Sequence, residues 1–207
     1  MSNGLDQQFK QGTELPSLNK GRFTCSHLVR WCAAQQNWDK VHYNQDYARK
    51  LSGHEDVIIN GALKQQFLVQ FLIQAFQEKG WVWRVDYRFT GVDIVSQQLE
   101  VRGTVKKVEE NDEHLFVHVA FEIHNIDSGS VTTTGDAIVV LASNGEPVTD
   151  MLDRDTPKGT RLDQNVNEVS GEVPEVIASR IGETLEEVES YIPVDLSRLK
   201  LFAAAVM

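Results

Sequence analysis

Long hydrophobic runs are missing from this sequence. None approaches the roughly 20 apolar residues that a transmembrane helix needs, which predicts a soluble globular protein. Residues 1–11 are polar and show no signal-peptide pattern, so we expect a cytosolic location. Cysteine is also scarce. Cys25 and Cys32 are seven residues apart on one predicted helix, a spacing that fits neither a local disulfide nor a CxxC site and favours two small buried side chains.

Positive charge is in deficit. Lysine and arginine number 20 against 30 acidic residues, and the net charge of −10 argues against a nucleic-acid partner, which would need a basic surface. Twelve acidic and only four basic residues lie between positions 146 and 190. The rest of the chain is therefore close to neutral and would not repel an anionic ligand.

One long apolar helix followed by four strands dominates the middle of the chain. The helix is predicted over residues 61–79, where apolar side chains recur at helical spacing, the polar ones are mainly Lys64 and glutamines, and Gly80 ends the element. Polar or glycine-containing turns separate the strands, which are predicted at 81–89, 99–109, 114–126 and 131–141.

Shorter elements precede the long helix. They are a flexible lead-in at 1–14, an edge segment within 15–24, a helix over 26–36 with Ser26 as its N-cap, and a helical turn or two at 45–50. A long helix that an antiparallel sheet can wrap is typical of the hotdog fold, of class α+β. We therefore predict one hotdog domain over residues 15–145.

A polar cluster lies ahead of the long helix. Asn37, Asp39 and His42 precede by about twenty residues the Asn60-Gly61 step that opens it. A helix N-terminus offers unpaired N–H groups and partial positive charge, and Gly61 has no Cβ to obstruct a substrate oxygen, which indicates an oxyanion hole. Histidine can take up or return a proton near neutral pH. Each feature alone fits an ordinary loop or helix start; together they favour an acid/base site.

The same stretch carries a family resemblance. Residues 23–63, FTCSHLVRWCAAQQNWDKVHYNQDYARK…VIINGALKQQFL, resemble the hydratase segment of MaoC-like (R)-specific enoyl-CoA hydratases and 3-hydroxyacyl-thioester dehydratases, and the later RFTGVDIVSQQLEVRGTVKKV resembles the strands that follow. The resemblance places His42 at the catalytic histidine and Gly61 at the oxyanion-hole glycine. The family's aspartates beside the histidine are Asn37 and Asn44 here, so Asn37 or Asp39 would position the water or the ring.

The resemblance implies a reaction and its partners. A 2-enoyl thioester would be hydrated, or a 3-hydroxyacyl thioester dehydrated, with Tyr43, Asn60 and Ala62 contacting the substrate. It implies no metal and no cofactor beyond the coenzyme A of the substrate, and a homodimer or a pair with a second hotdog subunit. A non-catalytic subunit beside an active partner stays open as an alternative. A hotdog thioesterase is disfavoured, because residues 63–77 carry no carboxylate.

Three histidines, His114, His118 and His124, share one face of a predicted strand and could suggest a metal site. At about 3.4 Å per residue they are spaced by roughly 13 and 20 Å, too far apart for one ion. We therefore expect no metal site there.

The C-terminal segment, residues 146–207, is predicted to be an acidic linker followed by a helical extension. Its last residues, VDLSRLKLFAAAVM, resemble FTCSHLVRWCAAQQ near the start of the chain. Two interpretations stay open: the beginning of a second hotdog unit, or a chance similarity between alanine-rich helices.

Overall fold

A five-stranded antiparallel sheet and one long helix organise the protein in the computed structural model, which describes residues 8–111 and 113–148. Four strands were predicted after the long helix, and all four are confirmed to within one residue at each end. Short 3-10 turns lie at Lys40–His42 and Gln77–Lys79. The strands and α-helices are β1 Leu18–Arg22, α1 Cys25–Gln35, α2 Gln45–Lys50, α3 Gly61–Phe76, β2 Gly80–Phe89, β3 Gln98–Glu110, β4 His114–Asn125 and β5 Ser130–Ala142.

The strand order in the sheet is β1-β3-β4-β5-β2, and every pairing is antiparallel. Strands β3, β4 and β5 form consecutive hairpins, so their pairing follows the chain order. The predicted edge segment within 15–24 is confirmed as β1, and β2 forms the opposite edge. Because α3 and its sheet face are both apolar, the core lies between them.

The central helix α3 begins at Gly61, as predicted, but ends earlier than expected. Its α-helical part stops at Phe76, and Gln77, which has a positive φ of 53°, begins one 3-10 turn. The 3-10 turn continues to Lys79, so the helical stretch as a whole ends before Gly80, as predicted, and Gly80 is the first residue of β2. A Cβ at Gly80 would lie 2.5 Å from the Cβ of Phe76 and 2.9 Å from Val139, so the close approach of helix and strand requires glycine there.

The beginning of the domain differs from the predictions in two respects. Thr24, not Ser26, is the N-cap of α1, and its N–H donates to His27 Nδ1 at 3.1 Å. Phe9 is buried and stacks on Phe76 with ring centroids 4.5 Å apart, while the N–H of Gly12 donates to a β3 carbonyl. A flexible lead-in does not describe residues 8–14, because these residues pack onto the domain.

The predicted C-terminal linker and extension fall almost entirely at positions 149–207, outside the described residues, so they stay predictions. Residues 1–7 of the lead-in lie outside them as well. Within residues 8–111 and 113–148, no helix is long and apolar enough to cross a membrane.

Replacing Gly103 of β3 by alanine should destabilise the domain. The added Cβ would lie 2.7 Å from the ring of Phe71, a completely buried residue of α3, and 3.1 Å from the carbonyl oxygen of Ala120. We expect the free energy of unfolding to fall by about 1–3 kcal/mol, as for other overpacked cores, measured by urea denaturation. Gly129→Asn is the control, because asparagine tolerates the positive φ of 68° at this position and its side chain would enter open space. It should lose less free energy of unfolding than Gly103→Ala. Equal stability of Gly103→Ala and the unchanged protein would contradict the packing described here.

Candidate active site

His42 is held in one orientation by a main-chain group. It ends the 3-10 turn Lys40–His42, is half-buried, and its Nδ1 lies 2.9 Å from the carbonyl oxygen of Ile58. A carbonyl oxygen can only accept, so Nδ1 must carry the hydrogen of this bond. In the neutral ring, Nε2 then holds the lone pair. The contact therefore selects the tautomer in which Nε2 can act as a base.

The Ile58 carbonyl belongs to an extended segment, residues 57–59, that pairs with residues 93–95. The N–H of Ile59 donates to the carbonyl of Asp93 at 2.8 Å, and Ile58 and Ile94 form an antiparallel bridge. The acceptor that orients the histidine is therefore fixed by the connection between β2 and β3.

The N-terminus of α3 follows directly. Gly61 is three residues after Ile58, a span of at most about 11 Å when extended, so the carbonyl that binds the His42 ring lies within that distance of the helix N-terminus. The third and fourth amides of α3 bond to the carbonyl of Asn60. The N–H groups of Gly61 and Ala62 have no partner within the described part of the chain, and they carry the positive end of the helix dipole.

Glycine at position 61 has a structural reason that the sequence did not indicate. A Cβ there would lie 2.7 Å from the ring of Phe89, which covers this side of the helix start and is itself 44% exposed. Asn60 is almost fully buried, with its side chain against the Sγ of Cys32. Only main-chain atoms of Asn60 are thus placed toward the helix start, and Ala62 packs partly onto the core.

Asn37 and Asp39 shape the turn that carries His42. Asn37 Oδ1 accepts from the N–H of Asp39 at 3.2 Å, and Asp39 Oδ1 accepts from the N–H of Val41 at 3.2 Å, capping the 3-10 turn. Asp39 is exposed and Asn37 half-buried. Neither side chain hydrogen-bonds to the His42 ring among the described residues, where the ring's partner is the carbonyl of Ile58.

Two further candidates stabilise the local backbone. Asn44 caps α2 by accepting from the N–H of Tyr47 at 2.9 Å, which is the role its oxygen would keep if it were aspartate. The hydroxyl of Tyr43 donates to the carbonyl of Trp38 at 2.9 Å, so this ring is tied to the same loop.

A buried ion pair beside the helix N-terminus was not anticipated. Lys64, expected on the polar face of the long helix, has only 3% of its side chain exposed, and its Nζ lies 2.7 Å from Oδ2 of the completely buried Asp93. Its ammonium group also lies 5.1 Å from the centroid of the Phe89 ring. Burial lowers the pKa of Lys64, and the bond to Asp93 opposes that shift.

The pair is part of a larger polar network. Asp93 Oδ2 also accepts from the hydroxyl of Thr132 at 2.7 Å, and Oδ1 accepts from Asn125 Nδ2 at 2.9 Å. One signal for it exists in the sequence: Asp93 stands alone among apolar residues in GVDIV. Its partner could not be identified, since Lys64 is 29 positions away in a helix whose other polar residues are half-exposed or exposed glutamines.

A metal site does not form within the described residues, where no group of three or more histidine, cysteine or acidic side chains could hold an ion. On β4, His118 Nε2 lies 2.8 Å from Glu109 and His124 Nε2 lies 2.9 Å from Glu122. Each of these histidines is thus engaged with its own carboxylate.

Comparison with known proteins gives a fold and, over part of the chain, a resemblance to a family. Residues 5–95 match the family model described as hydroxyacyl-thioester dehydratase type 2. No curated protein sequence matches the chain significantly. One similar solved structure is an (R)-hydratase from A. caviae involved in PHA biosynthesis, with a TM-score of 0.57 and 19% identity over 64% of this chain and 97% of that one. A MaoC-like dehydratase from Rhodospirillum rubrum has a TM-score of 0.57 and 15% identity over 69% of this chain and 97% of that one. The ChsH1-ChsH2 complex from Mycobacterium tuberculosis has a TM-score of 0.54 and 19% identity over 64% of this chain and 98% of the matched chain.

These similarities confirm the predicted α+β hotdog fold. The family match also confirms the predicted resemblance to hydratases and dehydratases of hydroxyacyl thioesters. At these identities, the solved structures support the fold alone.

The two cysteines should react at different rates. Cys32 is 1% exposed, and burial raises the pKa of its thiol, an effect that its contact with Asn60 opposes. Because the thiolate is the reactive form, we expect a disulfide reagent such as DTNB to label only the half-exposed Cys25 quickly, and both thiols after unfolding. Cys25→Ser should remove the fast phase and Cys32→Ser should keep it. Rapid labelling of folded Cys25→Ser would show that Cys32 is accessible.

Proposed function

We infer, from a chain whose residues 5–95 match the hydroxyacyl-thioester dehydratase type 2 family, that this protein adds water to 2-enoyl thioesters and removes it from 3-hydroxyacyl thioesters. One observation carries the inference. The His42 ring is oriented by the Ile58 carbonyl at 2.9 Å, next to a helix that starts with two unbonded amides in the described chain. A base and an oxyanion site are the two groups that this reaction needs.

In the hydration, water would add across the C2–C3 double bond of the enoyl thioester. Nε2 of His42 removes a proton from water as the water oxygen bonds to C3 of the substrate. Negative charge then develops on the thioester oxygen, where the N–H groups of Gly61 and Ala62 stabilise it. The imidazolium returns its proton to C2. Dehydration is the same sequence in reverse, with His42 protonating the departing hydroxyl.

The substrate would be an acyl-coenzyme A thioester. The thioester itself acidifies the α-carbon, so the proposed reaction needs neither a metal nor a redox cofactor, and coenzyme A enters only as part of the substrate. The near-neutral charge of the chain outside residues 146–190 supports this choice, because it would not repel the coenzyme's phosphates.

A second hotdog subunit is the proposed partner, as an identical copy or a related chain. Strand β2 is an edge of the sheet within the described residues, so one side of its ten-residue backbone is available for pairing. Phe89, at the end of this strand, is 44% exposed beside the start of α3. A subunit docked on β2 would therefore also approach the candidate site.

A non-catalytic subunit is the second candidate function. It is favoured by one observation: in the described residues, the His42 ring is bound by a carbonyl and by no carboxylate. In that case the purified chain would leave enoyl-coenzyme A unchanged and gain activity only with an active hotdog partner. A thioesterase fits less well, because α3 carries no carboxylate.

Replacing the proposed base should abolish hydration. For His42→Gln we expect kcat for crotonyl-coenzyme A to fall by about 10²–10⁴-fold, because the water loses its proton acceptor. The assay is the loss of enoyl-thioester absorbance. His54→Gln, in the loop after α2, is the matched control and should keep full activity. Wild-type rates in His42→Gln would eliminate this mechanism.

The contributions of Asn37 and Asp39 to activity can be distinguished, because their side chains accept hydrogen bonds from different main-chain N–H groups. Asn37→Ala removes the acceptor for the Asp39 N–H and loosens the turn beneath His42, so we expect kcat to fall about tenfold. Asp39→Asn keeps an oxygen that caps Val41, so kcat should change by less than about threefold. A loss in Asp39→Asn as large as that in Asn37→Ala would instead identify the Asp39 carboxylate as the partner of the histidine.

A further inference from the structure

The buried Lys64–Asp93 pair joins two parts of the molecule that meet at the candidate site. Lys64 lies in the first turn of α3, three residues after Gly61, and Asp93 lies in the connection between β2 and β3. A buried ion pair is a weak source of net stability, because the removal of both charges from water offsets their attraction. Its directional bonds are therefore the more informative property.

Every donor of the Lys64 ammonium has an acceptor. Besides Asp93 at 2.7 Å, Nζ lies 3.2 Å from the carbonyl of Thr132 and 3.4 Å from that of Gly91. The helix start is thus bonded both to β5 and to the segment that follows β2. A network with all members satisfied holds its groups in one arrangement.

The main chain of Asp93 continues this connection toward His42. The Asp93 carbonyl accepts from the N–H of Ile59 at 2.8 Å, and the neighbouring Ile58 carbonyl accepts from the His42 ring at 2.9 Å. The side chain of Asp93 is anchored by Lys64, Thr132 and Asn125. The position of the acceptor that orients His42 therefore depends on a residue whose own position is set by the buried network.

We propose that Lys64 and Asp93 are a positioning pair for the candidate site. Through the 57–59 segment the pair sets the tautomer of His42, and through the first turn of α3 it holds the amides of Gly61 and Ala62 beside that ring. The catalytic consequence rests on the proposed function. The effect on the His42 ring does not, and it can be measured in a protein without activity.

A double variant separates a structural role of the Lys64–Asp93 pair from a positioning role, because it can keep the stability of the fold while it removes the bonds that act on the His42 ring. Lys64→Met with Asp93→Leu removes both charges and leaves apolar side chains in the buried space. Replacement of a buried ion pair in this way usually preserves stability, whereas removal of one partner leaves an unpaired buried charge. The urea midpoint of the double variant should therefore recover most of the loss seen in Lys64→Met, while the bonds that direct residues 91–93 stay absent.

The test is the tautomer of His42, read from the ¹⁵N shifts of its ring in the full chain and assigned by comparison with His42→Gln. In the wild type we expect the form with hydrogen on Nδ1. In the double variant we expect a mixture of tautomers and, for crotonyl-coenzyme A, a kcat at least about tenfold lower with KM within about twofold. An unchanged tautomer in the folded double variant overturns the proposal.

Two more variants complete the design. Thr132→Val removes the hydroxyl that donates to Asp93 and lies 3.4 Å from Lys64 Nζ, and it keeps both charges. If the double variant does not fold, this variant decides: a shifted tautomer population supports the proposal and an unchanged one overturns it. Lys50→Met with Asp46→Asn removes an exposed pair of the same composition, at 3.0 Å on α2, and should leave the His42 spectrum unchanged. If the wild type lacks activity but the tautomers respond as described, the proposed function fails and the positioning role stands.

Discussion

The pairing of residues 57–59 with residues 93–95 is the constraint on which the candidate site depends. One strand of this short pairing leads directly into α3, and its carbonyl at Ile58 holds the His42 ring. The other carries Asp93 into the buried network. His42 and the N-terminus of α3 belong to different segments, and the hydrogen bonds of this short pairing connect them.

The directional hydrogen bonds of the buried Lys64–Asp93 pair explain its presence better than a net contribution to stability does. An apolar pair of similar volume could fill the space around Lys64 and Asp93 without the desolvation of two ions. Such an apolar pair could not donate hydrogen bonds to the carbonyls of Gly91 and Thr132, and it could not accept one from Asn125. Phe89 adds to the same arrangement, since its ring lies over both Gly61 and the Lys64 ammonium. The helix start is thus surrounded by groups with fixed geometry.

Much of the fold could be predicted, and the errors share one cause. The strands after α3 were located to within a residue, since alternation of apolar and polar side chains is a local property. The sequence pattern predicts a flexible segment around Phe9 and does not show why position 80 requires glycine, because both depend on packing between distant residues: Phe9 stacks on Phe76, and Gly80 lies close to Phe76 and Val139. Local pattern carries no information on such contacts.

The sequence by itself determined the periodicity of α3 and the strands, the Asn60-Gly61 step, and the resemblance that pointed to His42. Residue types at fixed spacing are sufficient for these. Only the tertiary structure decided what orients His42 and where Lys64 lies. The partner of His42 is a main-chain carbonyl, a group that every residue has and that no pattern distinguishes. The partner of Lys64 is 29 positions away, and only folding brings the two charges to 2.7 Å.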